Sequence, residues 1–211
     1  MAEHRRQRDS QRTKQDILMA AEHEFADKGI YGARIDDIAS RANINKRMIY
    51  EYFGNKEQLY KTVLEESYRR LGKREKVILS KGLDCRDAIR RIIRLEFEFL
   101  RDNPTYVKLI LWENLNHGKY IEDIDFTDIK NPTFILLKKA IAQGKRDGVF
   151  KEDLDEEQLI LSILTFTFSY FSNRYTLSKL LEANLDHGPS LTKRIEHVTD
   201  MVLLYICKQK P

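Results

Sequence analysis

Cysteine and proline are scarce in this chain, and each scarcity excludes something. Its 211 residues carry two cysteines, Cys85 and Cys207, with no metal-type spacing and no basis for a disulfide framework. They read as small buried side chains of a reduced, cytoplasmic protein. Four prolines and nine glycines are too few for a fibrous or low-complexity chain. His4, His23, His117, His187 and His197 show no paired spacing such as HExxH, and no glycine-rich phosphate loop or nucleophile elbow occurs. The expectation is a protein with no catalytic residues, no metal and no cofactor. No uncharged stretch reaches the roughly 18 residues of a membrane span, and residues 159–173, which come near, include Ser and Thr. The start, MAEHRRQRDSQRTK, has charge but no apolar core, so no secretory signal is expected.

What is present supports a globular core. Hydrophobic residues make up 42% and charged residues 33%, which excludes a wholly disordered chain. The formal net charge is only +4, so its distribution says more than its size. Basic side chains outnumber acidic ones five to two in residues 1–14 and 11 to 7 in residues 61–100, whereas residues 101–211 hold 15 and 16. That pattern allows a polyanionic partner near the N-terminus without requiring one.

The punctuation is that of helix after helix. Ile17, Leu18, Ala21 and Phe25 share one face, and Gly29 stands where a C′ glycine belongs. Short helices fit residues 34–41 and 45–53. Asn55 with Gln58 has capping-box spacing for a fourth helix that runs to about Leu79. Asp84 caps a helix ending near Asp102. Asn103-Pro104 and Asn131-Pro132 each put an N-cap before a proline, and Gly144 and Gly148 bracket the end of the second of these helices. Asp155, Glu156 and Glu157 place acids at the start of another. Ser190 opens a last helix, while His187-Gly188-Pro189 reads as a turn. No segment alternates with period two for long. The fold class is all-α, with about nine helices and no internal repeat.

Residues 35–53 carry the functional signal. A helix ending in Ile38-Ala39, a tight Ala42-Asn43-Ile44 turn and a second helix make the spacing of a helix-turn-helix. Ala39 is small enough for a steep helix crossing. Asn43 tolerates the left-handed backbone that the turn needs.

The wider stretch ILMAAEHEFADKGIYGARIDDIASRANINKRMIYEYFGNKEQLY, residues 17–60, resembles the TetR family of transcriptional regulators. The matching residues are Ala20-Ala21, Phe25, Gly29, Ile38-Ala39, Tyr50 with Tyr52-Phe53, and Lys56-Glu57. The resemblance implies a basic arm over residues 1–12, a helix-turn-helix DNA-binding domain over 13–55, and a helical ligand-binding and dimerisation domain over 56–211. It implies a cytoplasmic homodimeric repressor that leaves its operator when a small molecule binds. Two rival readings stay open: a DNA-binding regulator without a ligand, and a helical carrier or enzyme, which leaves the 17–60 pattern unexplained.

The partner implied is a near-palindromic double-stranded operator. The N-terminal side chains of a recognition helix face the major groove, here Asn45, Lys46, Arg47 and Met48. Arg47 suits guanine O6/N7; Asn45 suits adenine or caps its own helix. Lys46 suits a phosphate, as does Lys56 at a helix N-terminus. Tyr50 and Tyr52 reach phosphate with their hydroxyls or pack in the core. The family usually has Gly where Asn43 and Arg47 stand, and Thr or Ser where Ala33-Arg34 stand, so Arg34 replaces a hydroxyl contact by charge. The arm, with Arg5, Arg6, Arg8 and Arg12, is either a solubilising tail or a DNA-binding extension.

In the C-terminal part, residues 155–174 and 190–208 are apolar helices suited to a homodimeric four-helix interface. On the helix from Cys85, Glu96 falls within the apolar stripe that includes Leu100. The helix from Pro104 is apolar almost all round, with Tyr106, Leu109, Ile110 and Trp112, and carries Glu113 among them. With Phe166 and Tyr170 these nine residues are the candidates for an effector cavity, and equally for a core with satisfied polar groups.

Overall fold

A computed structural model describes residues 2–75, 84–125 and 132–208, with side chains for 10–70, 84–125 and 134–208. These residues form ten helices: α1 (Ala2–Gly32), α2 (Ile35–Arg41), α3 (Lys46–Phe53), α4 (Lys56–Glu75), α5 (Cys85–Asp102), α6 (Pro104–Leu115), α7 (Pro132–Arg146), α8 (Glu156–Ser172), α9 (Arg174–Leu180) and α10 (Gly188–Ile206). The chain makes two compact units, Met1–Arg69 with Thr105–Ile129, and Arg70–Pro104 with Lys130–Pro211.

The first unit is built on α1. Ile17, Ala20, Ala21 and Phe25 recur at helical spacing and are buried. Gly29 breaks the helix with φ 65 and ψ 174, a conformation open essentially to glycine. Absence of a Cβ matters there twice, because one would sit 2.9 Å from the Trp112 ring. Lys28 links α1 to α2, pairing with Glu24 at 2.6 Å and Asp37 at 2.9 Å. Leu59, Tyr60, Val63 and Leu64 of α4, with Leu109, Tyr120 and Ile124, share the core of α1–α3. The unit is therefore larger than residues 13–55, because the buried face of α4 belongs to it. The backbone of residues 2–12 continues α1 as helix; Met1 and the side chains of Arg5, Arg6 and Arg8 lie outside the described residues.

In the second unit α5 is central, with α7, α8 and α10 packed on it. Ile89, Ile92, Ile93 and Phe97 are buried, whereas Arg90, Arg91, Arg94 and Arg101 form an exposed face. Cys85 is buried and Cys207 half-buried. Asp84 caps α5 by accepting from the Arg86 N–H, and Asp155 caps α8 by accepting from Glu157 and Gln158. Near the end of α7 the Phe150 ring lies over Gly144, where a Cβ would collide with it, and Gly148 turns the chain with φ 67.

Three expectations need correction or fall outside view. The structure adds a helix, α9, to the nine expected; none of its residues is buried, so it leaves no apolar periodicity to find. The last helix starts at Gly188, with His187 as N-cap and Pro189 in its first turn, so His187-Gly188-Pro189 is a helix start. Ser190 instead donates to the Asn184 carbonyl at 2.8 Å. Leu79 and Asn131 lie outside the described residues.

Candidate nucleic-acid interface

The turn between α2 and α3 is held by backbone bonds that only a left-handed residue allows. Asn43 has φ 53. Its N–H donates to Ser40 O at 3.1 Å, and the Ile44 N–H donates to Ala39 O at 3.0 Å. These are the paired bonds of a Schellman motif, and Ile44 is half-buried after it. Ile38 and Ile49 are fully buried, and Ala39 leaves room for the close crossing of α2 and α3. The sequence thus fixes how α3 projects before any partner is present.

On α3, Lys46, Arg47 and Tyr50 are exposed and Met48 is half-buried. The Asn45 carboxamide oxygen accepts from the Arg47 N–H at 2.9 Å, so of its two expected roles Asn45 takes that of helix cap. The Arg47 Nε donates to Glu51 at 2.9 Å, one turn further along. Lys46 bridges to Asp36 of α2 at 3.0 Å, and that bond holds its ammonium above its ordinary pKa. Tyr52 is half-buried, with the Lys14 ammonium 5.3 Å above its ring, which is a packing role. Lys56 opens α4 and donates to the Ala33 carbonyl at 3.1 Å. Arg34 is exposed at the N-cap of α2, and no side chain caps that helix end. The acids Asp36, Asp37 and Glu51 that organise this surface were not anticipated; the i, i+4 spacing of Arg47 and Glu51 is the signal that reveals one of them.

The nine cavity candidates divide between the units. Tyr106, Leu109, Ile110, Trp112 and Glu113 belong to the first, where they pack. Tyr106 meets Tyr68 edge-on, Leu109 is fully buried, and Ile110 is half-buried. The Trp112 indole donates to the Ala26 carbonyl at 3.2 Å. Glu113, 1% exposed, accepts from Tyr120 N–H at 2.6 Å, Ile121 N–H at 3.2 Å and the Tyr60 hydroxyl at 3.1 Å. Its polarity is accounted for by protein donors. Burial and the neighbouring Glu113 charge together hold the Tyr60 hydroxyl well above its ordinary pKa.

Glu96, Leu100, Phe166 and Tyr170 belong to the second unit. Glu96 and Leu100 are buried. Tyr170 donates to the Leu185 carbonyl at 2.7 Å and, with Phe171, walls a cavity of about 650 Å³ between α5, α8 and the start of α10. Phe166 lines a separate groove of about 290 Å³ between α8 and α10, and the Arg194 guanidinium lies 5.8 Å from its ring. Burial pushes the Arg194 pKa below its ordinary value. Among the described residues no helix is long and apolar enough to cross a membrane.

A helix-turn-helix whose second helix exposes Lys46, Arg47 and Tyr50 has the arrangement of a class of double-stranded DNA-binding proteins. Comparison with known proteins narrows the class. Residues 17–63 match the bacterial regulatory proteins of the tetR family, and residues 86–202, more than half of the chain, match the tetracyclin repressor-like C-terminal domain. The chain belongs to the tetR family and is a helix-turn-helix transcriptional repressor of that DNA-binding, ligand-responsive kind. It is 29% identical to the transcriptional repressor NicS of Pseudomonas putida over 94% of each chain. It is 31% identical to the transcriptional repressor SCO4008 of Streptomyces coelicolor over 74% of this chain and 77% of the other. In fold it resembles the fatty acid degradation regulator FadR of Bacillus halodurans, with a TM-score of 0.71, 19% identity, and 90% and 94% of the two chains covered.

Proposed function

We propose that this protein acts as a homodimer that represses transcription from a near-palindromic operator and is released by a small-molecule effector. The observation that carries the reading is the exposed basic N-terminal turn of α3 on a backbone-locked helix-turn-helix. Two such helices enter successive major grooves when their separation matches about 34–36 Å or a related helical spacing. Arg47 reads a base, while Arg34, Lys46, Tyr50 and Lys56 contact phosphates; Met48 adds an apolar contact, and Asn45 and Tyr52 support the helix. The arm over residues 1–12 adds phosphate contacts, so its removal lowers affinity and flattens the salt dependence, as titration at several salt concentrations measures.

The dimer forms through α8 and α10. Leu161, Met201, Leu204 and Tyr205 are exposed on these helices, an apolar face that a second copy would cover. The effector occupies the second unit and acts by binding one recognition-helix separation better than the other; without that difference it shifts nothing. The protein works by binding rather than by catalysis.

Selection of bound duplexes from a random DNA library at one fixed salt concentration tests the reading. An enriched near-palindrome is expected. A folded dimer that enriches no sequence, with and without cell metabolites, refutes it.

A further inference from the structure

We propose that Glu51 determines base specificity by holding the Arg47 guanidinium so that its terminal Nη1/Nη2 edge faces a guanine. This rests on the reading of α3 as the major-groove helix. Arg47 is anchored at two levels. Its backbone N–H is fixed by the Asn45 carboxamide at 2.9 Å, and its Nε by the Glu51 carboxylate at 2.9 Å. An arginine can offer a base either its Nε/Nη side or its terminal fork. With the Nε side bonded to Glu51, the fork remains, and the Arg47 side chain is 84% exposed. Two parallel bonds from that fork match guanine O6 and N7.

Arginine loses rotamer freedom when it is ordered on a base. A carboxylate that orders it beforehand lowers that loss. The carboxylate also stands at a cost, because Glu51 is itself exposed on a helix that approaches phosphates, which repel it. A negative charge there is consistent with service to Arg47. The Lys46–Asp36 pair differs in kind: an ammonium is a point charge with no planar fork to aim, so Asp36 is the natural control.

The two effects of Glu51 have opposite signs, which makes them separable. Dissociation constants of full-length parent, Glu51→Gln, Glu51→Asp, Arg47→Ala, Asp36→Asn and the Glu51→Gln/Arg47→Ala double variant are measured at one salt concentration. The duplexes are the selected operator, operators with each guanine under α3 replaced, and random sequence. In Glu51→Gln the preference for guanine at one position of each half-site is expected to fall by about 5-fold or more, the lower end of what a bidentate pair supplies. Affinity for random duplex stays level or rises, since a repelling charge is gone. Glu51→Asp, which keeps the charge but shortens the reach, loses the same preference. In the Arg47→Ala background Glu51→Gln alters no base preference. Asp36→Asn moves operator and random duplex together. Glu51→Gln that strengthens every duplex equally, with guanine preference intact, overturns the proposal and leaves Glu51 as a repelling charge only. A parent that discriminates no sequence overturns the reading of α3 as well.

Discussion

Replacing Glu113 by alanine removes an acceptor shared by three buried donors. Oε1 takes the Tyr120 N–H at 2.6 Å and the Ile121 N–H at 3.2 Å, and Oε2 takes the Tyr60 hydroxyl at 3.1 Å. Glu113 is 1% exposed, so solvent does not take its place without opening the first unit. A donor left unsatisfied in the interior costs about 1–3 kcal/mol. The three losses share one relaxation of the segment after α6, so they sum to less than three independent ones, about 3–5 kcal/mol. That is a large share of the ~5–15 kcal/mol that stabilises a typical domain. Glutamine tests the assignment more finely. It keeps Oε1 for both backbone donors, and the Tyr60 hydroxyl can turn to accept from its NH₂. Only charge assistance is lost, about 1 kcal/mol. Urea denaturation at fixed protein concentration measures both variants; concentration is fixed because a dimer's apparent stability depends on it. Tyr60→Phe should cost less in the alanine background than in the parent, since its hydroxyl is already orphaned there. Glu113→Ala within 1 kcal/mol of parent, or Gln as damaging as Ala, would refute the argument. A changed effector response with stability intact would assign Glu113 to a ligand instead.

Arg47→Ala should weaken operator binding by about 1–3 kcal/mol and relax one base position per half-site, while equal loss on random DNA in a filter-binding assay would make it a phosphate contact. Gly144→Ala should destabilise the protein by about 1–3 kcal/mol, because the new methyl meets the buried Phe150 ring; an unchanged Tm would refute that packing. Burial holds the hydroxyls of Tyr60, Tyr68 and Tyr120 above the ordinary value of 10, with Tyr68 pushed up to about 12. A folded pKa above the unfolded one gives stability that is complete below pH 10 and is lost as pH rises from 10 towards 12. Tm should therefore fall over that range, and less steeply in Tyr68→Phe; a flat profile to pH 12 would be the contrary result.

The helices that sequence made legible are those with both a cap and a buried stripe. Asp84 and Asn55 accept from backbone N–H groups at the helix starts they were expected to cap; Asn45, for which a base contact was the other expectation, and Asp155, expected only as an acid in a first turn, cap theirs as well. Gly29 and Asn43 take the positive φ that their places in the pattern require. What escaped has one or other signal missing. Helix α9 buries none of its residues, so nothing in its spacing separates it from a loop. At α10 the chemistry was ambiguous, because Gly-Pro is common both in turns and in the first turn of a helix. A boundary at residue 55 follows a helix start, whereas packing follows the buried face of that helix: α4 buries Leu59, Tyr60, Val63 and Leu64 in the core of the helices before it.

The same reasoning explains why the turn before α3 was easier to read than the surroundings of α6. Residues of a recognition helix are set by one local turn, and the Schellman bonds at Asn43 and Ile44 fix that turn within six residues of sequence. A cavity depends on which helices meet. Tyr106, Trp112 and Glu113 look alike in sequence whether they face a ligand or a core, since aromatic walls with a few polar atoms serve both. The distinction lies in partners far away along the chain: Ala26 for the Trp112 indole, and Tyr60 with the Tyr120 and Ile121 amides for the Glu113 carboxylate. A polar side chain whose acceptor capacity is filled by its own protein has little left for a ligand. Tyr170 differs, because its hydroxyl is engaged by Leu185 while its ring still walls an open cavity. The search for an effector is therefore best centred on α8 and the start of α10 rather than on α6.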